Sequence, residues 1–200
     1  MSQDLPQEIE MDPRLKAIMW AAFDTFAQYG YRRTSMEDIA TAAGVSRPAL
    51  YLHFRNKEDI FRSLAQHYFD TACTGVATAL ATEGPLDEVL LRAFHAKDGE
   101  AIAHLLTSPH GAEFMDVKTT NSADITAEGD ARLRAVFAEW LVIAEARGQV
   151  TLEVLGGPAD EVADVIYAML YGLKNPPPTL EIYRRRQERL AKILARALAP

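Results

Sequence analysis

Between Thr34 and Lys57 lies a run of short polar and basic side chains: Thr34, Ser35, Ser46, Arg47, Tyr51, His53 and Lys57. Hydroxyls, a guanidinium, an imidazole and an ammonium donate hydrogen bonds well to phosphate oxygens. An arginine can also grip the edge of a guanine with two parallel hydrogen bonds. Pro48 and Ala49 follow Arg47 directly and offer small apolar surfaces of the kind that meet thymine methyl groups. The chemistry suggested is the recognition of a phosphate backbone and of base edges, without any bond being made or broken.

These groups need a scaffold, and the same segment supplies one. Ser35 precedes Met36-Glu37-Asp38-Ile39-Ala40, where its hydroxyl can cap the first turn and the acids suit the positive helix end. Met36, Ile39, Ala40 and Ala43 fall at helical spacing. Gly44 stops that helix, and Val45 can plug the gap before the next. Ser46 caps a second helix, in whose first turn Pro48 is tolerated. Leu50 and Phe54, four apart, face inward, which leaves Arg47, Pro48, Ala49, Tyr51 and His53 outward or sideways. Asn56 caps a third helix, with Asp59 three residues on, and Arg55 and Lys57 flank the cap. This is the layout of a helix-turn-helix, with Ser46–Phe54 as the helix that enters the major groove. A preceding helix is expected over Pro13–Tyr29, with Leu15, Ile18, Met19, Ala22, Phe23 and Phe26 as its buried stripe and Gly30 at its end.

From Asp12 to Gln66 the chain closely resembles the DNA-binding domain of TetR-family transcriptional regulators. The family's pattern stands here as Ala22, Phe26, Gly30, Thr34, Ile39, Ala40, Ala43, Gly44, Val45, Ser46, Leu50, Tyr51, Phe54, Lys57 and Leu64. The resemblance implies an all-α homodimer. An N-terminal three-helix helix-turn-helix domain would be followed by a helical ligand-binding and dimerisation domain, about nine helices in total. The division expected is a flexible N-terminal tail over 1–11, the DNA-binding domain over 12–57 with the start of helix four, and the effector-binding and dimerisation domain over 58–200. Pro48 departs from the small residue usual in the family. It removes one backbone N–H and stiffens the helix entry, so base preference does not carry over from relatives.

A net charge of −7 looks wrong for a partner of DNA until it is divided. From Arg14 to Arg62 eight bases meet five acids, giving +3; from His67 onward 13 bases meet 19 acids, giving −6; the remaining −4 comes from Asp4, Glu8, Glu10 and Asp12. The basic region coincides with the motif, and the body behind it is acidic. No run of apolar residues is long enough for a membrane span. The start MSQDLPQEIEMD does not read as a signal peptide. The single cysteine, Cys73, suits a reducing compartment, so a cytoplasmic location is expected. Gly-rich phosphate loops, HExxH, GxSxG and CxxC are absent, and His67 lies six residues from Cys73, off its helical face. His53, His67, His95, His104 and His110 show no tight metal spacing. Neither an enzyme, a metal site nor a cofactor is expected.

The rest reads as helices. Lys57 to about Leu80 is one long helix leaving the head. Leu86–Ala96, Gly99–Thr107, Ala112–Val117, Thr126–Arg147, Ala159–Lys174 and Thr179–Leu198 follow, with a loop at Lys118–Asp124 and a partly extended loop at Gln149–Leu155. Phe69, Cys73, His95, His104, Phe114, Phe137, Trp140, Tyr167 and Tyr171 carry apolar bodies, several with polar tips, and are candidate linings of an effector pocket; ordinary core packing explains them too. Few charges fall on the expected inner faces, which favours a small hydrophobic effector. Broad apolar faces on the last two helices point to a homodimer built through them. Arg184, Arg185, Arg186 and Arg189 read as a solvated basic face. The expected function is a ligand-responsive repressor that binds a palindromic double-stranded DNA operator as a homodimer. The alternatives are a constitutive dimeric DNA-binding regulator without an effector, or a helical enzyme.

Overall fold

The computed structural model describes residues 12–115 and 122–200. The tail expected at 1–11 and most of the loop expected at 118–124 lie outside the described residues. Among these, nine segments are helical and none is a strand. Helix α1 spans Pro13–Tyr29. The Asp12 carboxylate accepts the Arg14 N–H at 2.9 Å, and Gly30, at φ 87°, turns the chain out of the helix. Helices α2 (Met36–Ala42), α3 (Arg47–Tyr51) and α4 (Lys57–Leu80) follow.

Helix α5 runs over Leu86–Thr107, where two helices were expected. The break between them survives as a bend at Gly99, with φ 57° and ψ −156°. That backbone lies in the left-handed half of conformational space, which glycine enters at little cost. A short helical stretch, α6, covers 111–115. Helix α7 spans Ala123–Ala146, three residues longer at its start than expected, because the Thr126 N–H already finds the Ser122 carbonyl at 2.8 Å. Helices α8 (Ala159–Gly172) and α9 (Leu180–Ala197) complete the chain. The loop between α7 and α8 pairs with no strand among the described residues. It is held by Thr151 N–H donating to the Leu198 carbonyl at 2.9 Å and by Leu152 N–H donating to the Glu145 carboxylate at 3.1 Å.

Two apolar cores form. The head core gathers Ile18, Phe26, Ile39, Leu50, Ile60 and Phe61 from α1 to α4. The body core gathers Phe69, Val76, Leu90, Phe94, Phe137, Leu141, Ile166 and Leu194 from α4, α5, α7, α8 and α9. Burying one such side chain contributes about 1.5–3 kcal/mol. Helix α4 therefore starts in one core and ends in the other. Helix α5 does the same in reverse: Leu90 and Phe94 belong to the body, whereas Ile102 and Leu105 belong to the head core. Phe114 of α6 joins the head as well, at 4.8 Å from the Phe61 ring.

Helix α7 packs against α4 at Gly129, where a methyl group would come within 2.1 Å of the Phe69 ring. Alanine gains about 1 kcal/mol of helix propensity over glycine, but overpacking a core typically costs about 1–3 kcal/mol. With an overlap this deep the steric cost should win. Gly129→Ala should thus lower stability in denaturant unfolding by about 1–2 kcal/mol; a variant as stable as the parent would show that the helices can part freely there.

Candidate nucleic-acid interface

The turn between α2 and α3 is fixed by local hydrogen bonds. Ser35 Oγ accepts the Asp38 N–H at 3.2 Å, and the Asp38 carboxylate accepts the Ser35 N–H at 2.8 Å and hydroxyl at 2.7 Å. This reciprocal cap holds the Asp38 carboxyl below its ordinary pKa, chiefly through the Ser35 hydroxyl. Gly44 takes φ 65°, and Val45 N–H returns to the Ala40 carbonyl at 3.0 Å. Ser46 Oγ then accepts the Ala49 N–H at 3.3 Å and starts α3. Leu50 is fully buried beneath it.

The second helix is shorter than the expected Ser46–Phe54. Regular helix ends at Tyr51, and a tight turn carries Phe54 into the head core before Asn56 caps α4. Phe54 cannot reach that core and also leave room for the cap unless the chain turns there. Arg47, Pro48, Tyr51 and His53 are exposed, and Ala49 is half-buried. The Arg47 guanidinium lies 5.6 Å from the Tyr51 ring centre and stands 3.8 Å from the Glu37 carboxylate. Leu52, 84% exposed, was missed by the sequence reading, whose inward and outward faces assumed a helix that continued. A cleft of about 670 Å³ opens beside these residues, lined by Arg14, Val45, Ser46, Ala49, Leu52 and His53 among others.

Two expected phosphate binders face the fold instead. Thr34 is 3% exposed and its hydroxyl donates to the Gly30 carbonyl at 2.9 Å. Lys57 Nζ donates to the carbonyls of Tyr31, Arg32 and Thr34 at 2.8, 3.1 and 2.9 Å, and stands 4.7 Å from the Tyr31 ring centre. All three of its protons therefore have acceptors in the turn after α1. Burial lowers its pKa. The physical reason is that this turn leaves carbonyls outside any helix, and the ammonium satisfies them.

The expected effector-lining residues do not converge. Phe69, Cys73, Phe137 and Tyr167 share the body core, with Trp140 packed at its edge. His95 and Tyr171 are exposed. His104 and Phe114 are part of the head's surroundings, because the bend at Gly99 carries α5 out of the body. His104 Nε2 lies 3.0 Å from the Asp24 carboxylate, in an ion contact when protonated but without hydrogen-bond geometry, and its ring stands 5.3 Å from Phe23.

The expectation of few inner charges is corrected by Lys97 and Asp98, 4% and 5% exposed. The Asp98 carboxylate accepts from Lys97 Nζ at 3.0 Å, Lys174 Nζ at 2.8 Å, Gln187 Nε2 at 2.9 Å and the Tyr183 hydroxyl. Burial alone would raise its pKa, but Lys97 and Lys174 beside it hold it well below the carboxylate range. Burial pushes the Tyr183 and Tyr167 phenols up, and Tyr167 donates to Asp130 at 2.6 Å. A signal was present: Leu90, Phe94 and Lys97 follow helical spacing, which puts Lys97 on the buried stripe. No cluster of possible metal ligands occurs among the described residues.

Comparison with known proteins finds a family match within the helix-turn-helix segment. Residues 18–64 match the model for bacterial regulatory proteins of the tetR family. The chain is 32% identical over 126 residues to the HTH-type transcriptional repressor ComR of Escherichia coli, covering 62% of this chain and 56% of that one. It is 38% identical over 71 residues to the HTH-type transcriptional activator FasR of Mycolicibacterium smegmatis, covering 36% of this chain and 32% of that one. The chain thus spans about a third to just over half of the length of these curated relatives. Its fold is like that of SmeT, the repressor of a multidrug efflux pump of Stenotrophomonas maltophilia, in a complex with triclosan: the TM-score is 0.70 at 17% identity, over 94% of this chain and 93% of that one. The Ser35 cap, the Gly44 turn and the short α3 all stand inside residues 18–64, the segment that matches the tetR family of bacterial regulatory proteins.

Proposed function

We propose that the protein is a transcriptional repressor that binds an inverted-repeat operator as a homodimer and releases it when a small hydrophobic effector enters the body. The observation that carries this reading is the outward face of α3. Arg47, Pro48, Tyr51 and Leu52 stand exposed on a helix anchored beneath by Leu50 and capped by Ser46. Arg47 meets base edges, Leu52 and Pro48 meet thymine methyls, and Tyr51, His53 and the Ser46 hydroxyl meet phosphates. Lys57 and Thr34 serve by holding the turn that orients this surface.

The dimer reading rests on Val165 and Met169 of α8 and Ile182 and Ile193 of α9, large apolar side chains that one chain leaves exposed. A second copy would cover them in an isologous contact. Arg186, from the basic cluster, donates to the Leu173 carbonyl at 2.6 Å and so binds α9 to the end of α8 within one chain. The effector reading is supported by the aromatic surface of Phe69, Phe137 and Tyr167 in the body core. It is supported also by the small aromatic compound named in the complex of the SmeT neighbour.

Fluorescence-anisotropy titration with operator DNA should show Arg47→Ala and Tyr51→Ala each binding about 5- to 100-fold more weakly, at an unchanged melting temperature. Parental affinity in both variants would contradict the assignment of α3. Lys57→Ala should instead lower the melting temperature, since it strands three carbonyls; an unaltered melting curve would return Lys57 to a direct phosphate role. The double variant Met169→Glu/Ile193→Glu should sediment as a monomer and lose operator affinity. A dimer that survives it would place the interface elsewhere. A bound effector raises the melting temperature by mass action, so thermal-shift screening of small aromatic compounds tests the effector reading.

A further inference from the structure

The two cores meet along a polar seam. Helix α5 crosses it at Gly99: Phe94 lies in the body core, and Ile102 and Leu105 lie in the head core. Helix α4 crosses it between Leu64, packed on the head core, and Tyr68, packed on the body core. The buried charges stand at that crossing. Asp98 immediately precedes the bend and is bound to Lys174, Tyr183 and Gln187. Tyr183 joins both sides in one side chain: its ring belongs to the head core and its hydroxyl binds Asp98.

Beyond the bend, the chain is hydrogen-bonded to the head. His110 N–H donates to the Ala27 carbonyl at 2.9 Å, Arg33 donates to the His110 ring at 2.7 Å, and Arg32 N–H reaches the Glu113 carboxylate at 3.4 Å. Phe114 packs edge-on to Phe23 at 5.2 Å.

We propose that the unit that turns against the body is not the helix-turn-helix domain alone but residues 12–64 together with 100–115. Its hinges are Gly99 and the Leu64–Tyr68 turn of α4, and Asp98 is the latch. An apolar joint is non-directional and permits sliding. A carboxylate shared by two ammonium groups, a phenol and an amide has one good arrangement, and losing it leaves buried charge unpaired. Such a joint holds discrete orientations, which is what a head whose spacing must switch requires. The use of the hinge rests on the regulatory reading above. Its existence does not, and its test needs neither DNA nor effector.

In full-length protein carrying Cys73→Ala, nitroxide labels can be attached in pairs at the exposed positions Lys16 (α1), Thr107 (the limb of α5) and Glu139 (α7). Distances are read by pulsed electron resonance, with unlabelled chain in excess so that only pairs within one chain contribute. On Asp98→Asn, the Lys16–Thr107 distance should keep its width, while Lys16–Glu139 and Thr107–Glu139 broaden together. Tyr183→Phe, which removes one hydroxyl, should give the same pattern in milder form. Broadening of Lys16–Thr107 with Thr107–Glu139 unchanged would assign the limb to the body and overturn the proposal. So would three unchanged distances in both variants, or three that broaden alike, since Asp98 would then simply hold the fold.

Discussion

The Lys57 ammonium ties the first turn of α4 to the turn that follows α1. Its three hydrogen bonds settle the carbonyls of Tyr31, Arg32 and Thr34 and draw Tyr31 over the charge. From there the geometry propagates. Thr34 is pinned to Gly30, Ser35 is placed to cap α2, and the length of α2 sets where Gly44 turns the chain toward α3. The short α3 makes few stabilising bonds of its own. Its direction is a consequence of what stands before and after it, with Leu50 and Phe54 as apolar anchors. The proposed DNA-reading surface is thus oriented by residues that face the fold.

The same logic governs how head and body are joined. A small helical head buries limited apolar surface on its own. Here it gains Ile102, Leu105 and Phe114 from beyond the bend in α5, and the aromatic set Phe23, Phe26, Tyr31, Phe61 and Phe114 closes around them. The body keeps Phe94 and Phe137 for itself. What separates the two is a carboxylate with its cations, held by directional bonds where a core would use methyl groups. Stability is concentrated in each core, and orientation is concentrated at the seam.

Helix ends were legible because local residues write them. Asp12 and Pro13, Ser35, Gly44, Ser46 and Asn56 stand where a short-range reading puts them, and each cap makes the hydrogen bond its side chain can make. The all-helical class and the family resemblance of the N-terminal segment followed from the same residues. What was illegible is tertiary. Lys57 looked like a free cation because its acceptors lie 23 to 26 residues away. The buried charges Lys97 and Asp98 escaped the expectation of few inner charges because the partners Tyr183 and Gln187 of Asp98 are more than 80 residues distant. His104 and Phe114 were grouped with the body because the break expected before Gly99 does not reveal that the bend there redirects the chain to the head. Arg47, Pro48, Tyr51 and His53 stand outward as their spacing implies, and Leu52 joins them because regular helix ends at Tyr51.

The account stands on α3 reading a duplex with two-fold symmetry. The most direct measurement is selection of random-sequence DNA duplexes by the full-length protein, followed by sequencing of the retained pool. The account predicts enrichment of an inverted repeat whose half-sites are centred about one helical turn, roughly 34–36 Å, or a multiple of it apart. A retained pool with no sequence enriched over the input would contradict it.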